Sequence, residues 1–176
     1  MALIPRELTD PMKAFNFRIA LIDTSTQLTT ALGATSLVLG GFSECSGLDA
    51  SLQVEDYMEG GENTFVHKLP GRVTWGNITL KRGITLDEGL WNWHLSFVEG
   101  KGKRRDGLIV LQNELLMPIK TWIFKRGLPL KWSGPAFNAG QSAVAVESIE
   151  IAHEGVELRS PGVLQAKAAA AIGKLF

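Results

Sequence analysis

Few residues in this sequence stand in patterns that chemistry could use. The three histidines, His67, His94 and His153, lie far apart, and no two are spaced four residues apart as on one helix face. Cys45 is the sole cysteine, so no set of zinc ligands with metal-site spacing exists. His153 and Glu154 follow an isoleucine-rich run and could act as a general base with its orienting acid. The plainer reading is a strand end whose polar residues reach solvent. His94, beside Trp93, reads as an ordinary helix residue. Cys45, followed by Ser46 and Gly47, has no nearby base to ionise it and reads as a small packed side chain. Glu55, Asp56, Glu59 and Glu62 lack the calcium-loop spacing and read as a solvated loop. Lys101, Lys103, Arg104 and Arg105 have no interleaved aromatics. They fit a solvated turn, a small phosphate footprint, or a partner for the acidic 55–62 loop of a neighbouring copy. There is no P-loop, dinucleotide fingerprint or nucleophile elbow. An enzyme is not expected, nor is a cofactor or a metal.

Size and charge narrow the class further. At 176 residues one domain is expected, able to bury roughly 70% of its unfolded surface without a disulfide or metal. Eighteen basic residues balance eighteen acidic ones, which removes any whole-chain field for nucleic acid or an anionic membrane. A lone cysteine fits a reducing compartment. Residues 1–12 contain Glu7, Asp10 and two prolines, unlike a signal peptide, and no apolar run is long enough to span a membrane. Assembly in a reducing cytoplasm, with no membrane anchor, is the expectation.

The elements that must carry function are mostly strands. Residues 13–22 alternate, with Phe15, Phe17, Ile19 and Leu21 on one face. Residues 23–36 form a Thr-, Ser- and Ala-rich excursion. Residues 37–43 read as a strand bulged at Gly40-Gly41, and Leu48, Leu52 and Val54 suggest another. Residues 55–71, with Gly60-Gly61 and Pro70-Gly71, read as a long loop of unusual backbone angles. Residues 72–82 read as one strand anchored by Trp75, Ile78 and Leu80. The single convincing helix is expected over 86–99, with Thr85 as N-cap, Asp87 and Glu88 in the first turn, and a stripe of Leu86, Leu90, Trp93 and Phe97. Gly100 should end it. Residues 108–112 and 119–124 read as a hairpin pair, 131–140 as a turn-rich link and 143–151 as the last clear strand. Roughly six to eight strands and one helix, without βαβ alternation, predict an all-β barrel or sandwich.

Several blocks resemble one family. The run Gly41-Phe42-Ser43-Glu44-Cys45-Ser46-Gly47-Leu48 is similar to the G-F-x-E-x-S-G-L segment of the phage tail-tube protein family, which includes tube subunits of extracellular contractile injection systems. The resemblance continues at residues 55–61 (EDYMEGG), 67–72 (HKLPGR), 80–83 (LKRG), 90–93 (LWNW), 131–135 (KWSGP) and 145–155 (AVESIEIAHEG). These blocks stand in the family's order and span about two-thirds of the chain.

The resemblance implies an all-β fold with one flanking α-helix, in which two packed antiparallel sheets form a barrel-like body of tail-tube type. It implies a tube domain over 1–159, with 160–176 as a C-terminal extension. It also implies hexameric rings with a continuous inner β-barrel, stacked into a hollow inner tube. Partners would be further copies, a sheath protein, baseplate hub or spike proteins, and toxin cargo or DNA in the lumen. Asn16, Arg18, Thr74, Asn77 and Thr79 could supply polar lumen positions. The length of 23–36 and of the tail beyond Leu158 leaves open a baseplate-proximal, tube-initiating ring of the same fold. The residues themselves point to 55–71 as the contact between subunits, because a loop built for solvent has no need of Phe65 and Val66. The expected contact set is Glu55, Asp56, Tyr57, Glu59, Gly60, Gly61, Phe65, Val66, His67, Lys68 and Arg72.

Overall fold

The structure, a computed structural model, describes residues 13–23, 38–61 and 63–159. The excursion over 24–36 and the tail from 160 lie outside the described residues. Among the described residues there are ten strands and one helix: β1 (Phe17–Asp23), β2 (Val38–Gly40), β3 (Phe42–Ser46), β4 (Ala50–Tyr57), β5 (His67–Trp75), β6 (Ile78–Gly83), α1 (Gly89–Val98), β7 (Arg105–Gln112), β8 (Pro118–Ser133), β9 (Val146–Ala152) and β10 (Val156–Arg159). Eight strands form one antiparallel sheet in the order β2-β1-β7-β8-β9-β6-β3, with β10 also on β8. β4 and β5 form a separate two-stranded ribbon.

The long strand β8 belongs to two layers. Its first part pairs with β7 (Leu108↔Ile123) and its last part with β9 (Trp132↔Ile149). The change falls at Arg126 and Gly127. Arg126 is left-handed at φ 53, and a Cβ on Gly127 would lie 2.8 Å from the Arg105 carbonyl oxygen, so only glycine fits there. The sheet therefore folds over into two layers, β2-β1-β7-β8 and β8-β9-β6-β3. It does not close, because its end strands β2 and β3 do not pair with each other.

The core lies between the layers. Ile19, Leu21, Ile109 and Phe124 face Ile78, Leu80, Ile149 and Ile151, and α1 adds Leu90 and Trp93. This follows from two-residue alternation: β6 buries Ile78, Leu80 and Arg82, and β9 buries Glu147, Ile149 and Ile151. The two charged residues in that series face each other. Arg82 Nε donates to Glu147 Oε1 at 2.6 Å, and its other nitrogens donate to the Asp87 carboxylate at 2.9 Å and the Asp87 carbonyl at 2.8 Å. Trp132 Nε1 donates to the second Glu147 oxygen at 2.9 Å. The network ties β6, β9, β8 and the approach to α1 together.

Helix α1 is shorter than its sequence pattern. Asp87 is held by Arg82 and its Oδ1 accepts the Gly89 amide, so the helix begins only at Gly89. Thr85 is not its N-cap; its hydroxyl accepts from the Asp87 amide instead. Leu86 consequently lies before the helix and is fully exposed, outside the stripe predicted for it. Leu90 and Trp93 are buried and Phe97 packs against the core. The C-terminus is as expected. Gly100 takes φ 75, with Gly100 N–H donating to Phe97 O and Lys101 N–H to Ser96 O, a Schellman ending.

Other boundaries shift. The predicted strand over 37–43 is two strands in different layers, separated at Gly41. The predicted strand over 72–82 is broken at Gly76-Asn77 into parts of β5 and β6, and the predicted link from 131 begins inside β8.

Candidate self-assembly interface

The predicted loop over 55–71 is instead most of a β-ribbon. β3 pairs with β6 (Cys45↔Leu80), and beyond a break joined by Gly76 N–H to Asp49 O the same two segments pair again as β4 and β5. One long hairpin thus begins inside the sheet and leaves it. The Pro70-Gly71 pair lies within β5, where Gly71 and Arg72 bulge opposite Gln53 rather than forming a turn. Pro is tolerated because a two-stranded ribbon leaves one side of each strand unpaired.

Register sorts the ribbon's faces. One carries Ala50, Leu52, Val54, Pro70, Val73 and Trp75. Of these, Leu52 and Val54 are 53% and 52% exposed, and Val73 and Trp75 are 48% and 40% exposed. The other face carries Ser51 and Thr74, joined at 2.6 Å, with Glu55, Tyr57, His67 and Leu69 nearer the tip. A lone two-stranded ribbon is marginal in water, and an exposed apolar face of this kind marks a surface that meets another molecule.

The predicted contact residues all fall on this ribbon, and part of the set comes together at its tip. Asp56 pairs with Lys68 at 2.5 Å and Glu59 with His67 at 3.2 Å. Phe65 stacks edge-on against His67 at 4.9 Å and is 56% exposed, while Val66 is 38% exposed. Gly60 and Gly61 occupy the turn, with Gly61 at φ 99. Arg72 does not join them, since the bulge places it near the ribbon's base. Sequence reasoning missed the apolar face, although Leu52, Val54, Val73 and Trp75 stand at alternating positions of two segments.

It also missed two open edges. β3 pairs with β6 on one side only. Residues 128–133 of β8 have β9 on one side, and on the other the pairing with β7 ends at Arg105↔Gly127. Both edges of the layer β8-β9-β6-β3 therefore present unpaired backbone among the described residues. Pro129 was the available signal, because proline inside a strand argues for an edge or a bulge.

The residues weighed for chemistry are otherwise engaged. Cys45 points inward against the core, and burial pushes its thiol up to about 11, far from thiolate chemistry. His153 sits by the rings of Phe124 and Trp75; burial lowers its pKa more than backbone contacts at Gly76 and Gly155 raise it. Glu154 does not orient it. That carboxylate accepts from Arg104 at 3.0 Å and Arg126 at 2.9 Å. Arg105 lies over the Trp93 ring, 5.2 Å from its centroid. Among the described residues no three His, Cys, Asp or Glu side chains are grouped to hold a metal, and no helix is long and apolar enough to cross a membrane.

The family described as T4-like virus tail tube protein gp19 matches residues 13–157. This chain belongs to that family. It is a structural protein of the tail-tube type and not an enzyme. Solved structures give the same fold for this family member. A chain in the 6-fold symmetrised baseplate of the anti-feeding prophage is 23% identical, with TM-score 0.75 over 86% of this chain and 97% of that one. A chain in the extended sheath-tube complex of the PVC extracellular contractile injection system is 23% identical, with TM-score 0.73 over 90% and 99%. One in the anti-feeding prophage tube-terminating cap is 22% identical, with TM-score 0.72 over 91% and 95%. No curated protein sequence matches the chain.

Proposed function

We propose that this tail-tube family member is a ring subunit of the inner tube of a contractile phage tail or phage-tail-like injection system. Six copies close edge to edge, and the rings stack into a hollow tube. One observation carries this reading: the layer β8-β9-β6-β3 is antiparallel throughout and open at both ends. With four strands, β3 runs opposite to β8, so β3 of one copy can continue the antiparallel pattern on β8 of the next. Closing the ring removes every open edge of that layer. The outward face of the layer, with Glu44, Ser46, Thr79, Lys81, Ser148 and Glu150, then lines the channel, since the inward face packs the core. Of the expected lumen positions, Thr79 lies in this layer and Asn77 just before its strand β6, whereas Asn16 precedes β1, Arg18 is on β1 and Thr74 is on the ribbon.

The ribbon β4-β5 covers its apolar face against a neighbouring copy and brings its tip, with Phe65 and Val66, into that contact. Sheath, baseplate and lumen cargo of protein or DNA are the further partners of such a tube, with assembly in a bacterial cytoplasm. A baseplate-proximal ring of the same fold is the second reading, because the baseplate structure overlays at TM-score 0.75. The test is light scattering and negative-stain microscopy of the full chain. Rings that stack end to end support the tube subunit, and single rings that do not stack favour the baseplate-proximal layer. A monomer at all concentrations overturns both. Phe65→Ser with Val66→Ser should leave a folded protein that forms no tubes. Normal tubes from that variant would remove the tip from the contact.

A further inference from the structure

Ring closure leaves one question that hydrophobic alternation cannot answer. A slip of one residue at the seam would turn β3 or β8 inside out and is excluded by the core, but a slip of two keeps every face correct. Something else must select among the registers that remain.

The two open edges carry opposite charges on the same outward face. On β8, Lys131 points outward because its neighbour Trp132 packs against the core. On β3, Glu44 points outward because Cys45 packs inward. The Lys131 side chain is exposed and makes no hydrogen bond or ion pair among the described residues, its backbone being laddered to β9. Its cross-strand neighbour Glu150 already accepts from Asn77 Nδ2 at 2.8 Å. Glu44 lies 2.9 Å from Lys81 on β6 and is half exposed, with capacity for a second donor. Along the layer the outward charges therefore read Lys81, Glu44, then an open seam, then an unpaired Lys131.

Resting on the ring reading above, we propose that Lys131 of one copy pairs with Glu44 of the next and fixes the register in which the ring closes. Directly opposed residues across an antiparallel seam lie about 4.5–5.5 Å apart at Cβ, within reach of a lysine and a glutamate. In a register slipped by two, Ser46 stands opposite Lys131 instead, and Glu44 lies on the diagonal. Each seam repeats the pair, so a small preference at one site multiplies around a closed ring. The wall also gains alternating charge with no net sign from these four residues, two lysines against Glu44 and Glu150.

The experiment is a charge swap on the full-length chain, read as the concentration at which half the protein is in rings. Lys131→Glu breaks no ion pair within the subunit, although it sets a carboxylate opposite Glu150, and it faces Glu44 across the seam. It should raise that concentration by about tenfold or more in low salt, and less in molar salt. Glu44→Lys should do the same. The double swap should return assembly to within about threefold of the parent, allowing for the like-charge neighbours Glu150 and Lys81 that the swap leaves within the subunit. Thermal melts of each variant report folding separately. Rings at the parent's concentration from Lys131→Glu, or a double swap as poor as the two singles combined, would overturn the pair while leaving ring formation intact. A parent chain that forms no ring would remove both.

Discussion

Replacing Arg82 by leucine isolates the cost of a buried charge left without its partner. The Arg82 side chain is 2% exposed and that of Glu147 7% exposed. In the variant Glu147 would keep only the Trp132 indole donor, while Asp87, more than half exposed, can turn to water. Removing one member of a buried ion pair costs about 3–5 kcal/mol, because the remaining charge is desolvated without compensation. Against a total stability of about 5–15 kcal/mol, that is at least about a fifth of the total and, in a marginal domain, nearly all of it. Replacing both Arg82 and Glu147 by leucine removes the stranded charge. The residual penalty is then mainly the Trp132 N–H left without an acceptor, about 1–3 kcal/mol. The double variant should therefore be more stable than Arg82→Leu alone, a non-additivity that urea unfolding of the four proteins would measure directly. Unfolding midpoints in which the double variant falls by the sum of the singles would refute the reasoning. So would an Arg82→Leu protein as stable as the parent.

Three further outcomes follow from the same geometry. Trp93→Ala should cost about 3–5 kcal/mol, since the ring is buried and its N–H donates to Lys103 O, whereas Leu86→Ala should fall within about 0.5 kcal/mol because Leu86 touches nothing; equal effects in thermal melts would refute the helix start at Gly89. Cys45 should resist alkylation at neutral pH in the folded chain and react once urea unfolds it; rapid modification of native protein would contradict its inward packing. Glu157 is held down to about 2 by hydrogen bonds from Lys125 and then Arg159, so its stabilising contribution is complete above the ordinary 4.5 and is lost as pH falls through about 2. Lys125→Ala should move that carboxyl titration, followed by NMR, back toward the ordinary range, and no movement would count against the pair.

The amino-acid order by itself determined the class and the core. Strict alternation in 146–152 and 78–83 can bury only one side, so Ile78, Leu80, Ile149 and Ile151 were committed to the interior before any partner was known. Gly100 likewise had to end the helix, because the ending needs a left-handed residue. The family blocks named the tail-tube type, as the match over 13–157 bears out. What the order could not decide was where local preference would yield to distant contacts. Thr85, Asp87 and Leu86 form a good helix start, yet Arg82, held by Glu147 from far along the chain, takes Asp87 and delays the helix to Gly89. Arg82 and Glu147 stood in the apolar register of their strands, a legible sign of a buried pair, but their meeting depends on β6 lying beside β9. Glycine and proline in 55–71 spoke for a loop. Only pairing with 50–57 turned that segment into a ribbon, because strand hydrogen bonds are supplied by the partner and not by the segment itself. The open edges of β3 and β8 exist only once the sheet order is fixed, since an edge is a property of neighbours and not of residues.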